Sequence, residues 1–446
     1  MTRKNKIIAS VSVLAAAMFA AGCGGAGSSA SATPEAPQLL AQSSLVRSSA
    51  VHVTNPDVSA ADLDAVVAGN NDFAAKALAQ FGANPDENLV FSPYSIGEAI
   101  SMAAAGAKGD TLSGIERALG LALPQERLNP ALNKAALLLQ QKTMGQVDQM
   151  VQQPSLNMVN TIWGQRGYPF QPAYLDTLAS QFDAGMRVLD FHGAPQAARA
   201  TINDFIDAQT QGRIKDLLAD GAITEDTRAV LTNAIWFKAN WAVAFDPGAS
   251  KDKAFVPRSG NAAMVPFMNR TGGMAGVQTS AYQAVELDYA GNRMSMMVIM
   301  PAPGSYDSFV GTLDAQKLAS IARSLQPQLV ELALPKFTFS STPAPKAVLQ
   351  ARGMLAAFDP KLADFSGIDG EHDLFISDIV HKAFIGVDEI GTEAAAATAV
   401  VMVTSLSVSM GTPPQPLRLN FDHPFVFAIR DKETGLVVFM GRVVKL

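Results

Sequence analysis

Apolar residues recur at helical spacing from Ala60 onward, where Leu63, Val66, Val67, Phe73, Ala77 and Leu78 share one face and predict a helix over 60–81. A short apolar run at 88–92, closed by Pro93, predicts a buried strand, and the small apolar residues of 95–107 predict a close-packed buried helix. Strands are expected at 157–163, 229–237, 284–288, 294–300, 329–334, 375–387, 425–429 and 435–444. Helices are expected at 130–142, 172–182, 195–210 and 312–325. Helices thus crowd the first half and strands dominate the second, an order that fits an α+β domain better than a doubly wound parallel one. Neither a linker-like composition nor an internal repeat interrupts 60–446, which reads as one domain.

The first 59 residues follow other rules. Arg3, Lys4 and Lys6 precede an apolar run over 7–20 and then Ala21-Gly22-Cys23, the build of an export signal. The run is too short to span a bilayer as a permanent helix. Small residues directly before a cysteine resemble the bacterial lipobox, although Ala20 stands where leucine is usual. That resemblance implies a lipoprotein-type signal peptide over 1–22 and lipidation at Cys23. The chain would then sit in the cell envelope, at the outer membrane, periplasmic or surface-exposed; plain secretion to the exterior is the alternative. Residues 23–59, rich in Gly, Ser, Ala and Pro, read as a flexible tether, so the membrane would be met only through the lipid.

Composition narrows the functions. Hydrophobic residues make up 48% and charged ones 17%, enough for a sizeable core. The net charge of −6 comes without a basic run beyond the signal, so a nucleic-acid partner has no electrostatic footprint. Cys23 is the only cysteine, which rules out an internal disulfide. The five histidines (His52, His192, His372, His381 and His423) lack metal-ligand spacing, and neither a Gly-x-Ser-x-Gly elbow nor a phosphate-binding loop occurs. No enzyme activity, metal or cofactor is expected.

The segment from Glu389 to Pro416 stands apart. Between Ala394 and Met410 it has no charge, proline or glycine, unlike a solvated loop. In alternation, Thr392, Ala394, Ala396, Thr398, Val400 and Met402 share one face, all small or apolar. The run shifts from tiny residues to β-branched ones, so its later part has the stronger strand propensity. On composition alone it could be an Ala-rich helix, a permanent buried strand, or a segment able to lie both outside and inside a sheet.

Its surroundings carry a resemblance. Glu389-x-Gly391-Thr392-Glu393-Ala394-Ala395-Ala396-Ala397-Thr398 resembles the hinge of the serpins, the serine protease inhibitor family. Asn88-Leu-Val-Phe-Ser-Pro-Tyr-Ser-Ile96, Gly106-Ala-Lys-Gly-Asp-Thr111 and Leu231-Thr-Asn-Ala-Ile-Trp-Phe-Lys-Ala-Asn-Trp241 are similar to further motifs of that family. So are Asn203-x-Phe-Ile-x-x-x-Thr-x-Gly-x-Ile214, with Phe205 where Trp is usual, Leu334-Pro-Lys-Phe337, Asp364-Phe-Ser-Gly-Ile368, His381-Lys-Ala-Phe384, Asp422-His-Pro-Phe425 and Phe439-Met-Gly-Arg442. They occur in the family's order along the whole of 60–446.

The resemblance implies an α+β serpin fold, with three β-sheets, about nine helices and an exposed reactive-centre loop. It implies an inhibitor of serine endopeptidases and a monomer. The target cleaves the loop, forms a covalent acyl-enzyme, and is trapped when the loop inserts into the large sheet. Ser92, Ser95, Asn233 and His381 match the family's polar cluster under the opening sheet, the shutter. Trp241 and Glu389 match the breach, where insertion begins. Counting Glu389 as first, the seventeenth residue places the cut between Ser405 and Leu406, with Thr404 and Met410 as rivals. The loop is about eight residues longer than usual, and a count back from Phe421 would put the cut near Pro413, a poor bait; the forward count is preferred because the hinge fixes how much strand inserts. No Lys or Arg lies between Lys382 and Arg418, so elastase-, subtilisin- or chymotrypsin-like targets are expected rather than trypsin-like ones. The alternative is a non-inhibitory serpin acting as a chaperone or binding protein, whose hinge would carry proline, charge or bulk.

Overall fold

The apolar strands assemble into two sheets in the computed structural model, which describes residues 43–81, 84–144, 154–392 and 415–446, the side chains of 141–144 excepted. The first sheet runs β1 (Ser44–Val46), β4 (Met186–Leu189), β3 (Ser155–Gln165), β5 (Ala229–Asn240), β13 (Gly391–Thr392), β12 (Ile379–Val387) and β11 (Phe337–Ser341). The second runs β14 (Leu417–Asn420), β10 (Gln326–Pro335), β7 (Ala263–Gln278), β8 (Tyr282–Asp288), β9 (Met294–Pro301), β15 (Phe425–Asp431), β16 (Val437–Val443) and β2 (Leu89–Phe91), with β6 (Lys251–Phe255) alongside β7. Every residue of β9 and β16 is buried, as their unbroken apolar runs require of strands covered on both faces. The part the resemblance would count as a third sheet, β14, β10, β7 and β6, is continuous with the rest. The last residues of β7, Ala275–Gln278, pair with β8.

Ten α-helices lie among the described residues. The first six are α1 (Ala60–Gln80), α2 (Pro93–Ala104), α3 (Gly109–Leu119), α4 (Gln125–Met144), α5 (Pro172–Phe182) and α6 (Pro195–Gln209). Helix α2 starts two residues earlier than its apolar pattern suggested. Ser92 Oγ accepts from the Ser95 N–H, and Pro93 occupies the first turn, where its missing N–H costs nothing. The helix packs on β3 and β5 of one sheet and on β16 of the other, so it lies in the core between them.

Part of the expected tether is docked. β1 pairs antiparallel with β4, and the Val53 N–H donates to Ser180 O at 2.9 Å. Cys23 and the rest of the segment up to residue 42 lie outside the described residues. The expected strand over 375–387 begins only at Ile379.

Strands β5 and β12 are parallel neighbours over Leu231–Trp236 and Ile379–Phe384. Beyond that stretch they part, and β13 enters between them antiparallel to both, with Thr392 opposite Ala239 on one side and Val387 on the other. The chain reaches this position by a tight reversal after β12. Asp388 Oδ1 accepts from the N–H groups of Ile390 (2.8 Å) and Gly391 (3.1 Å), a side-chain turn that frees the backbone to double back.

Candidate functional site

The forked end of the β5–β12 pair is held by side chains from three directions. Gly391 lies so close to β5 that an added Cβ would stand 2.0 Å from Ala239 O, so only glycine fits. Thr392 is 1% exposed, and its Oγ1 is 2.6 Å from the Tyr289 hydroxyl. Tyr289 stacks on Trp241, with centroids 4.7 Å apart and planes 11° off parallel. Trp241 closes the ring: its Nε1–H donates to Asp388 O (2.9 Å) and its backbone N–H to Ile390 O (2.8 Å). Glu389, 6% exposed, takes Lys336 Nζ at 2.7 Å and the Ser250 hydroxyl at 2.5 Å. Burial pushes its carboxyl up, but Lys336 and Ser250 outweigh that and hold it below the usual range. Trp241, Glu389, Gly391 and Thr392, named from sequence, thus meet at one place. Glu393, Ala394, Ala395, Ala396, Ala397, Thr398, Thr404, Ser405, Leu406 and Met410 lie outside the described residues.

Midway along the pair sits a buried polar network. Ser92, Ser95, Asn233 and His381 are all fully buried. The Ser92 backbone N–H donates to His381 Nε2 at 3.0 Å. That nitrogen is therefore unprotonated, and the ring proton is on Nδ1, which donates to Asn233 Oδ1. Burial pushes the imidazole down to about 3, so the ring is neutral at physiological pH. With Asn233 Oδ1 committed, its Nδ2 donates to Ser95 Oγ and to Asn160 Oδ1, each at 2.6 Å. Ser95 Oγ donates to Asn160 Oδ1 at 2.8 Å, and Ser92 Oγ to Val438 O at 2.6 Å. Both halves of the sheet are thereby tied to one helix, the β12 side through His381 to Ser92 and the β3–β5 side through Asn233 and Asn160 to Ser95.

Sequence reasoning missed two members. Asn160 sits on β3 directly opposite Asn233. Its Nδ2 donates to Glu98 Oε2 at 2.7 Å. A lone Asn amid the apolar residues of 158–163 was the available signal, but its partner became visible only through the strand register. At the far end of the pair, Ala229 and Leu231 share an apolar cavity with Ile162, Phe365, Leu374 and Ile376.

A parallel strand pair is thus split at one end by the start of the segment that follows β12. The chain belongs to the serpin family (serine protease inhibitor), whose model matches residues 68–446. It is 37% identical over 364 residues to an uncharacterised serpin-like protein of Thermococcus kodakarensis, 81% of each chain. It is also 30% identical to the leukocyte elastase inhibitor of Xenopus tropicalis, over 80% of this chain and 93% of that one. The crystal structure of the thermophilic serpin tengpin in its native state matches with a TM-score of 0.77 and 27% identity, covering 91% of this chain and 100% of that one. Members of this family are mostly protease inhibitors rather than enzymes. Among the described residues no helix is long and apolar enough to cross a membrane.

Proposed function

We propose that the protein inhibits serine proteases as a suicide substrate, its cleaved bait loop entering the first sheet between β5 and β12. The observation that carries this reading is β13, which already occupies the top of the slot in the antiparallel sense an inserted strand needs. Continuing its register places residue 394 opposite Phe237 and Ile385, 396 opposite Ile235 and Ala383, and 398 opposite Asn233 and His381. Residue 400 falls opposite Leu231 and Ile379, and 402 opposite Ala229. These even-numbered residues share the inward face of Thr392. Ala394 and Ala396 would pass under large buried side chains, whereas Val400 and Met402 would reach the apolar cavity at the far end. Glu393, the one charge in the run, would face outward beside Lys238.

Extending β13 over 393–402 adds roughly 30 Å of strand at ~3.3 Å per residue, enough to carry an attached protease towards the opposite end of the sheet. The bait bond then falls at Ser405–Leu406, with Thr404 and Met410 as rivals. The absence of any cation between Lys382 and Arg418 favours an elastase-, subtilisin- or chymotrypsin-like target. In this reading the body acts as a monomer, and a lipid on Cys23 holds it at the cell envelope. Incubation with elastase, subtilisin, chymotrypsin and trypsin should give an SDS-stable complex with at least one of the first three, and the mass of the released peptide locates the cut. Clean cleavage without a complex, and without a gain in thermal stability, would sink the proposal.

The register also gives Thr398 a task. Wedged between Asn233 and His381, its hydroxyl can take over the hydrogen bond those two exchange before insertion. Thr398→Val should therefore leave the uncleaved form as stable as wild type. The cleaved, inserted form should lose about 1–3 kcal/mol, the usual cost of a buried polar group left unpaired. Parallel melts of cleaved and uncleaved protein measure the difference; equal losses in both would refute the assigned register.

A further inference from the structure

Glu98 lies one helical turn after Ser95 on α2 and projects from the same face. It is half-buried in the wall of a cavity of about 380 Å³ that also reaches Asn160, Arg187 and Phe205. Its carboxylate has no ion-pair partner among the described residues and spends Oε2 on Asn160 Nδ2. An ionised carboxylate can only accept, so it orients the Asn160 amide with Oδ1 toward Ser95 and Asn233. Every other orientation in the network follows from that one and from the Ser92 N–H at the opposite end.

We propose that Glu98 is a titratable positioning residue for the latch: ionised, it pins Asn160 and with it the β3–β5 half of the sheet to α2, and protonation loosens that hold. The proposal rests on loop insertion as the function. Opening the slot requires at least one half of the sheet to shift over α2, and the bonds to Ser95 and Glu98 are what resist on the β3–β5 side.

The chemistry sets the direction. Burial pushes the Glu98 carboxyl up to about 7, while the bond from Asn160 favours the ionised form. Of the residues around it, Tyr94 on its own helix and Leu132 on α4 are not part of the shifting strands, whereas Met158, Asn160 and Thr161 of β3 are. When β3 moves away, Glu98 loses the Asn160 donor that favours its ionised form, so its affinity for a proton rises. Opening is therefore accompanied by proton uptake and is favoured as pH falls from alkaline values to about 7, the gain being complete below that. The charged or titratable groups around it are few. Tyr94 is on α2, His52 and Arg47 come from the docked N-terminal segment, Asp183 follows α5 and is paired with Arg47, and Arg187 is on β4. Arg187 lies over the Phe205 ring at 4.6 Å. Helices α1 and α4 and strand β3 present uncharged side chains there.

The test uses the full chain and a synthetic peptide with the sequence of residues 392–403, whose uptake into the slot is followed on native gels from pH 5.5 to 8.5. Wild type should take up the peptide about tenfold faster at pH 5.5 than at pH 8.5, the difference between a charge-assisted and a neutral hydrogen bond, with the gain complete below about 7. Glu98→Gln should be fast and flat across the range, and so should Asn160→Ala, which keeps the carboxyl but cuts its link to the latch. His381 does not titrate in this window. A flat wild-type profile, or the wild-type step persisting in either variant, overturns the role of Glu98 alone. Uptake at no pH overturns loop insertion itself and the latch role with it.

Discussion

Thr392→Arg should convert the proposed inhibitor into an ordinary substrate. Thr392 is the first inward-facing residue of the inserting strand, so every later residue must follow it past the fork. Its site is closed: the hydroxyl meets Tyr289, the Tyr289 ring is covered by Trp241, and Ala239 and Val387 flank it in the sheet. The acid near the fork, Glu389, is already neutralised by Lys336. Burying a guanidinium here costs several kcal/mol of uncompensated desolvation, so the variant's loop should start outside the fork and meet that cost only on insertion. Trapping is a race between insertion and hydrolysis of the acyl-enzyme, and ~4 kcal/mol on the insertion barrier slows it about a thousandfold. Hydrolysis then wins. The initial rate of loop cleavage should be unchanged, while the moles of protein consumed per mole of protease silenced should rise by more than about tenfold, the SDS-stable band giving way to cleaved product. Undiminished complex formation by Thr392→Arg would mean that the strand inserts by another face or not at all.

Parts of this arrangement are legible in the sequence, and the reasons are local. The apolar runs of β9 and β16 could be buried only on both faces, whereas the Ser92-Pro93 step, read as the close of a strand, also caps the helix that follows. The alternation from Thr392 to Met402 is legible in the sequence, and its first member, Thr392, is buried at the fork. Other elements escaped because their cause is not local. Strand β7 carries Asn269, Arg270, Gly272 and Gly273 in its middle, a turn-like composition that holds as a strand because β10 pairs with it along ten residues. β1 is three residues in a Ser-rich stretch and exists because β4 offers it an edge. The fork depends on contacts nearly 150 positions apart in sequence, between Asp388–Thr392 and Ala239–Trp241. The roles of Asn160 and Glu98 come from strand register and helix face acting together, which spacing along a single chain does not encode.

Asn233→Ala should be the most damaging change in the latch and should push the protein toward insertion. Asn233 is fully buried and exchanges hydrogen bonds with His381, Ser95 and Asn160, from both halves of the sheet and from α2. Truncation leaves the His381 Nδ1–H without its acceptor and removes a donor from both Ser95 Oγ and Asn160 Oδ1. One buried unsatisfied group costs ~1–3 kcal/mol, and with the small cavity added the native form should lose about 3 kcal/mol in denaturant unfolding. The inserted form should lose less, because the Thr398 hydroxyl would arrive beside His381 and give Nδ1–H a new acceptor. The variant thus raises the native state more than the inserted one, and the barrier between them falls. Uptake of the 392–403 peptide should be faster than in wild type at pH 7.5, and incubation near the native melting point should convert the uncleaved chain to a more heat-stable form. Equal destabilisation of native and cleaved protein would show that Asn233 serves only the packing of the core, and that the latch between β5 and β12 lies elsewhere.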